Sequence, residues 1–139
     1  MKNVNRFFLV FIVSLIVACS HTPLGEVEKT AVDFSKAIYT LKLDEAKKYC
    51  TPNGAKLIEF IASNVKEEDI DVLKDAGDVK ISVIGSTVDS GDSTATVNLR
   101  ISNYLQINLM GGKSTIEKEK EEKVDLVKVS DKWLVDLHK

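Results

Sequence analysis

"TATVNLRISNYLQINLMGGKSTIEKEKEEKVDLVKV" occupies residues 94–129, and its periodicity decides the fold. Ala95, Val97, Leu99, Ile101, Leu105, Ile107 and Leu109 are apolar at every second position. Thr94, Thr96, Asn98, Arg100, Ser102, Gln106 and Asn108 are polar between them. Period two marks a strand with one buried and one wet face. Gly111-Gly112 can supply the positive φ angles of a tight turn. The next stretch, Ser114 to Val124, is ambiguous. It has helix-forming residues and a candidate cap at Ser114, but it follows Gly-Gly and runs into the strand-like Val124 to Val129. Taken as the return strand, it closes a long hairpin. A two-residue loop at Gly111-Gly112 then sets the register. Met110 faces Lys113, Ile107 meets Ile116, Leu99 meets Val124 and Val97 meets Leu126.

The sheet pattern extends on both sides. Downstream, Ser130 to Lys132 is a turn into a last strand with Trp133, Val135 and Leu137 on one face. The Trp133 ring is expected to anchor the core. Upstream, Val79, Ile81 and Val83 alternate, and Val88 falls on the other parity, so a bulge is expected at Ile84-Gly85. "DSGD" (Asp89 to Asp92) is a turn.

Further upstream the period becomes helical. Val27, Ala31, Phe34, Ile38 and Leu41 form one apolar stripe. Glu26, Glu28 and Asp33 load its first half, where the macrodipole favours acids. A short helix fits Asp44 to Tyr49. Thr51-Pro52 reads as an N-cap followed by proline at the first helical position. The helix it opens is expected to bury Leu57, Phe60 and Ile61. Asn64 with Glu67 has the spacing of a capping box, and a helix through Ile70 and Leu73 ends at Gly77. Helices first and strands second give an α+β class.

The N-terminal stretch has its own pattern. Phe7 to Val17 is an apolar run of 11 residues, ~16 Å as a helix, against the ~30 Å hydrocarbon core of a bilayer. Lys2 and Arg6 precede it, which is the layout of a secretory signal peptide. Ile16-Val17-Ala18-Cys19 resembles the lipobox of bacterial lipoproteins. That resemblance implies a signal peptide over residues 1–18, lipidation of Cys19 and a lipidated tether over residues 19–23, followed by a single domain over residues 24–139. Acyl chains contribute ~0.8 kcal/mol per buried CH₂, so two or three of them anchor durably. Ser20 stands where an aspartate would mark inner-membrane retention in enteric bacteria, so the resemblance implies an outer-membrane or cell-surface place in the envelope. The alternative is a buried N-terminal element with an incidental cysteine.

Composition narrows the function. Cleavage leaves 121 residues, and losing Lys2 and Arg6 takes the formal charge from −2 to −4. A mildly acidic chain has no electrostatic footprint for nucleic acid. With Cys19 lipidated, Cys50 is a lone thiol, expected as a small buried hydrophobe. Pairing of the two cysteines is the alternative. His21 and His138 lie at opposite ends of the mature chain, so no metal site is expected. The acidic run Glu67 to Asp78 lacks calcium-ligand spacing. No GxSxG or phosphate loop occurs, and no cofactor is expected.

The order of elements is familiar. A lipobox, a long helix, "LKLDEAKKYCT" (Leu41 to Thr51), a helix, a strand, "GDSTATVNLRI" (Gly91 to Ile101), a charged strand and "VDLVKVSDKWLVDL" (Val124 to Leu137) follow one another. This resembles small bacterial lipoproteins of unknown function with a nuclear transport factor 2-like, cystatin-like domain. The resemblance implies N-terminal helices packed on a curved antiparallel sheet that forms a cone. Proteins of that architecture include enzymes, carriers and assembly modules, so fold alone does not choose.

The hairpin supplies the candidate site. The two-residue-loop register places Asn103 beside Lys120, Leu105 beside Lys118 and Ile101 beside Glu122 on the core-facing side. Together with Tyr39 and Tyr49 from the helices, these residues form a candidate pocket for an anionic or hydrogen-bonding ligand. The competing arrangement is a hairpin that projects past the helix with solvated charges on it. Lys and Glu are rarely fully buried, which favours the second. Cone enzymes similar to ketosteroid isomerase place Asp, Tyr or His inward. Here the strands put no Asp or His on the apolar face. The leading expectation is a membrane-anchored, non-catalytic module that binds a small ligand or an envelope protein. A structural assembly module and a cone enzyme are the alternatives.

Overall fold

A computed structural model describes residues 25–137. The predicted signal peptide, Cys19, the tether and His138 lie outside the described residues. Four helices precede four strands. They are α1 (Glu26–Tyr39), α2 (Leu43–Ala46) with a 3₁₀ turn (Lys47–Tyr49), α3 (Pro52–Asn64) and α4 (Glu67–Asp75), then β1 (Lys80–Val88), β2 (Thr94–Gln106), β3 (Thr115–Val129) and β4 (Lys132–Val135). The strands form one antiparallel sheet in the order β1-β2-β3-β4.

The helix ends follow local chemistry. α1 opens with Glu26 and Glu28 in its first turn and buries Val27, Ala31, Phe34 and Ala37 against all four strands. Thr51 Oγ1 accepts from the Gly54 N–H at 3.3 Å, and Pro52 follows it, as the cap reading requires. α4 stops before Gly77, whose φ of +76° suits glycine. Two expectations need correction. The α4 cap is built by Lys66, whose N–H donates to Asp69 at 2.8 Å, whereas Asn64 ends α3 and donates its side-chain amide to Phe60 O. In α3 the fully buried residue is Ile58, while Phe60 is 57% exposed. The reason is the close approach of Gly54 to Cys50, where an added Cβ would stand 3.1 Å from Cys50 Cβ. That approach turns Gly54 and Ile58 to the core and Phe60 away from it.

The period-two reading holds from Ala95 to Ile101, but β2 ends at Gln106, so Ile107 and Leu109, expected on its apolar face, lie in the loop and Leu109 is 45% exposed. β1 carries its bulge at Ile84, between the Val83–Leu99 and Gly85–Asn98 pairs. Thr115–Val129 is strand, not helix, and Ser114 belongs to the loop before it. Ser130 and Asp131 both take positive φ, 49° and 63°, and form the two-residue turn into β4. The outer face of the sheet is a polar ladder. Thr96 donates to Asp125 at 3.0 Å, Arg100 to Glu121 at 3.1 Å and Ser102 to Glu119 at 3.3 Å. The inner face buries Val97, Leu99, Ile101, Leu126 and Val135 under α1 and α3, and Trp133 joins them as the expected anchor.

The hairpin register differs from the two-residue-loop expectation by two residues. Val97 pairs with Val124, Leu99 with Glu122, Ile101 with Lys120 and Leu105 with Ile116. Strand pairing stops at Gln106 and resumes at Thr115, so a longer loop carries Gly111-Gly112. Asn108 N–H donates to Ser114 Oγ at 3.2 Å, and Met110 N–H donates to Asn108 Oδ1 at 3.0 Å. These bonds fold the loop on itself and replace the short turn. A two-residue slip preserves the face of every side chain, so the core composition survives the wrong register.

Candidate functional site

Of the six predicted pocket residues, three meet on the inner face. Tyr39 closes α1, and Lys120 and Glu122 occupy successive inner positions of β3 opposite Ile101 and Leu99. Tyr39 Oη donates to Glu122 Oε2 at 2.5 Å. Lys120 Nζ pairs with the same carboxylate oxygen at 2.6 Å. The ammonium lies 4.8 Å from the Tyr39 ring centroid and 4.9 Å from that of Tyr104. The two rings meet edge to face, with centroids 5.5 Å apart and planes at 71°. Each ring contributes about 0.5–1 kcal/mol of cation–π attraction at a partly exposed site. Lys120 and Glu122 keep 30% and 28% of their side-chain surface, so the pair is half-sheltered.

The electrostatics hold the phenol neutral. Burial raises the Tyr39 hydroxyl well above the ordinary phenol range, and the Glu122 charge and hydrogen bond push it further the same way. Tyr39 is therefore a donor at any physiological pH. The Tyr39 hydroxyl and the Lys120 ammonium share one oxygen of Glu122, so that oxygen meets a proton donor and a cation together.

Asn103 goes elsewhere. It stands in β2 with φ of +57°, in the left-handed region that asparagine tolerates better than most residues. Its side-chain amide donates to Ala76 O at 2.8 Å and Asp78 O at 3.1 Å, tying β2 to the α4–β1 connection. Lys118 is exposed. Tyr49 packs on the core from the 3₁₀ turn and takes no part in the tyrosine–lysine cluster's hydrogen bonds. Cys50 is buried, its thiol faces Lys47 O at 3.5 Å, and burial raises its pKa.

The sequence reading missed Tyr104. Strict alternation would put it on the outer face. The left-handed turn at Asn103 breaks the alternation, and both Tyr104 and Leu105 are buried. Two adjacent large apolar residues after an asparagine carried that signal.

Two clefts open beside these residues. One of about 580 Å³ runs between the end of α1 and the α4–β1 connection, past Lys36, Thr40, Lys74 and Asp78. A smaller one of about 230 Å³ reaches Glu122 past Phe34, Leu57 and Leu137.

No family model matches the sequence, and no curated protein matches it. Solved structures do. A protein from Campylobacter jejuni, named as a candidate NTF2-like transpeptidase, superposes with a TM-score of 0.54 at 19% identity, over 82% of this chain and 100% of that one. The fold is NTF2-like. The intermembrane space region of the chloroplast protein ARC6 superposes at 0.51 and 12% identity, over 83% of this chain and 95% of that one. At such identities the likeness is one of architecture, the curved antiparallel sheet behind leading helices that this chain shares.

Proposed function

We propose that this protein is a lipid-anchored module of the bacterial envelope whose α+β domain binds a partner or ligand without catalysing a reaction. One observation carries the non-catalytic reading. The inner-face polar groups are spent on each other, with Tyr39 and Lys120 both on Glu122, above a core filled by Leu99, Ile101 and Leu126. The NTF2-like neighbours, a candidate transpeptidase and a region named for its intermembrane place, are compatible with that role. The anchoring half rests on the lipobox-like Ile16-Val17-Ala18-Cys19.

Mass spectrometry of the protein purified from bacterial membranes tests the anchor. The expected mature N-terminus is Cys19 carrying a diacylglyceryl group. A retained initial methionine, or an unmodified Cys19, overturns it. Replacement of Glu122 by Gln tests the other half. It should lower stability and leave the envelope phenotype of a complemented deletion strain intact. Loss of that phenotype in a folded Glu122→Gln protein would show that the cluster acts on something outside itself and would overturn the reading that its polar groups are spent on each other.

A further inference from the structure

The two edges of the sheet are finished differently. β4 has four residues, and its edge is closed by the chain before α3, where Cys50 bridges to Val135 and the Thr51 N–H donates to Val135 O at 3.0 Å. β1 has nine residues and, among the described residues, pairs with β2 alone. From Ile81 to Val88 it carries no charge and no proline, and Ile84 and Val88 are each 47% exposed. Open edges of this kind pair with other strands unless charge, proline or shortness prevents it.

The bulge dictates which strand fits. Before it, Ile81 and Val83 face inward, opposite Ile101 and Leu99. After it, Ser86 and Val88 face inward, opposite Val97 and Ala95. An antiparallel copy of β1 matches faces when an inner residue before the bulge meets an inner residue after it. The register centred between Ile84 and Gly85 does this. Ile81 meets Val88 of the second copy and Val83 meets Ser86. On the outer face Ser82 meets Thr87, and Lys80 meets Asp89. Every pair occurs twice, and the outermost is a pair of opposite charges, which stabilises adjacent strands.

We propose that β1 pairs with β1 of a second copy of this chain, joining two sheets into one across a twofold axis between Ile84 and Gly85. Ser86 Oγ donates to Glu28, which ties the start of α1 to the middle of β1 on the inner face. The twofold axis therefore places both α1 N-termini near it and on one side of the joined sheet. That arrangement suits two anchors in one bilayer, but the pairing itself does not rest on lipidation.

Disulfide trapping of the full chain in intact cells tests the register. In Ser82→Cys/Thr87→Cys, each new thiol faces its counterpart in the second copy across about 4.5–5.5 Å between Cβ atoms, close to what a disulfide spans. Within one chain the two positions are five residues apart, roughly 16 Å, too far to bridge. After oxidation the double variant should run mainly at twice the chain mass on a non-reducing gel. Each single variant and the unaltered chain should stay at their lower background. Equal dimer in singles and double overturns the proposal, as does a cross-link to a protein of another mass. Adding Lys80→Glu should cut the trapped dimer several-fold, and adding Asp89→Lys as well should restore it. No change with Lys80→Glu overturns the register. Light scattering of the unaltered, detergent-solubilised chain should give twice the chain mass, and a monomer overturns the pairing without relying on any variant.

Discussion

At the base of the β2–β3 hairpin the inner positions of β3 are Val124 and Leu126, opposite Val97 and Ala95, and all four are buried. Further along the same strand the inner positions are Glu122 and Lys120, opposite Leu99 and Ile101. β2 is apolar in both halves, so only β3 changes its chemistry. What covers it changes too. The apolar half belongs to the core that Phe34 and Ile58 complete, and the charged half meets Tyr39 and Tyr104. A tyrosine offers a ring face to an ammonium and a hydroxyl to a carboxylate. Inward charges on a strand therefore do not by themselves open a pocket. Suitable neighbours can close over them.

The largest effect should come from the apolar half. Leu126 is 1% exposed, so Leu126→Ala removes packed methyl groups and leaves a cavity. It should cost about 3 kcal/mol in denaturant unfolding of the purified protein. A cost below about 1 kcal/mol would mean that the two halves are equally soft and would break the comparison.

Asn103 marks the seam beyond the charged half. Asn103→Leu loses both bonds to the α4–β1 connection and strains a left-handed backbone, for a cost of about 2 kcal/mol. Asn103→Gly relieves the strain and keeps the lost bonds lost, so its cost should be smaller. Equal costs for the two variants would show that the φ of +57° stores no strain.

The contrast between the halves also shows how much was readable beforehand. The α1 stripe from Val27 to Phe34, the Thr51-Pro52 cap, the bulge at Ile84 and the inner residues from Ala95 to Ile101 follow from short-range rules, and the structure keeps them, whereas the α3 stripe and the far end of the β2 pattern do not survive. The hairpin register did not follow. It depends on Asn108 and Ser114 folding a loop, a side-chain choice that competes with the glycine turn. Because the error was two residues, Lys120 and Glu122 still fell on the correct face. Tyr39 was legible as a helix residue able to turn inward, whereas Tyr104 required knowing that Asn103 leaves the strand conformation. The meeting of Tyr39 with Glu122, residues 83 apart in sequence, is tertiary information that no local pattern contains.

Tyr39→Phe should cost about 1–2 kcal/mol, since it removes a hydrogen bond to a charged acceptor in a half-sheltered place. Its pH dependence is more specific than its size. The phenol is held above its ordinary value of about 10 in the folded chain, so the stability it contributes is complete below that pH. As pH rises past about 10, the unfolded chain releases the proton first, and the contribution is progressively lost. Urea unfolding between pH 8 and pH 11 should therefore show the difference between the parent and Tyr39→Phe shrinking at the alkaline end. A constant difference would place the stabilising contact outside the hydroxyl.

The smallest net effect belongs to the ion pair as a whole. Lys120→Met takes the cation from the half-sheltered Glu122 carboxylate and leaves it the Tyr39 hydroxyl, and it should cost about 1 kcal/mol. In the Tyr39→Phe background, which leaves no hydroxyl without a partner, the double variant Lys120→Met/Glu122→Leu removes both charges and fills the space, and it should lie within about 1 kcal/mol of Tyr39→Phe alone, above the additive expectation. That outcome would make the charged half an apolar core in waiting, held polar by something other than folding stability. If the double variant instead loses the sum of its parts, the two tyrosines and the ion pair are a stabilising unit, and the two halves of the hairpin differ in means but not in strength.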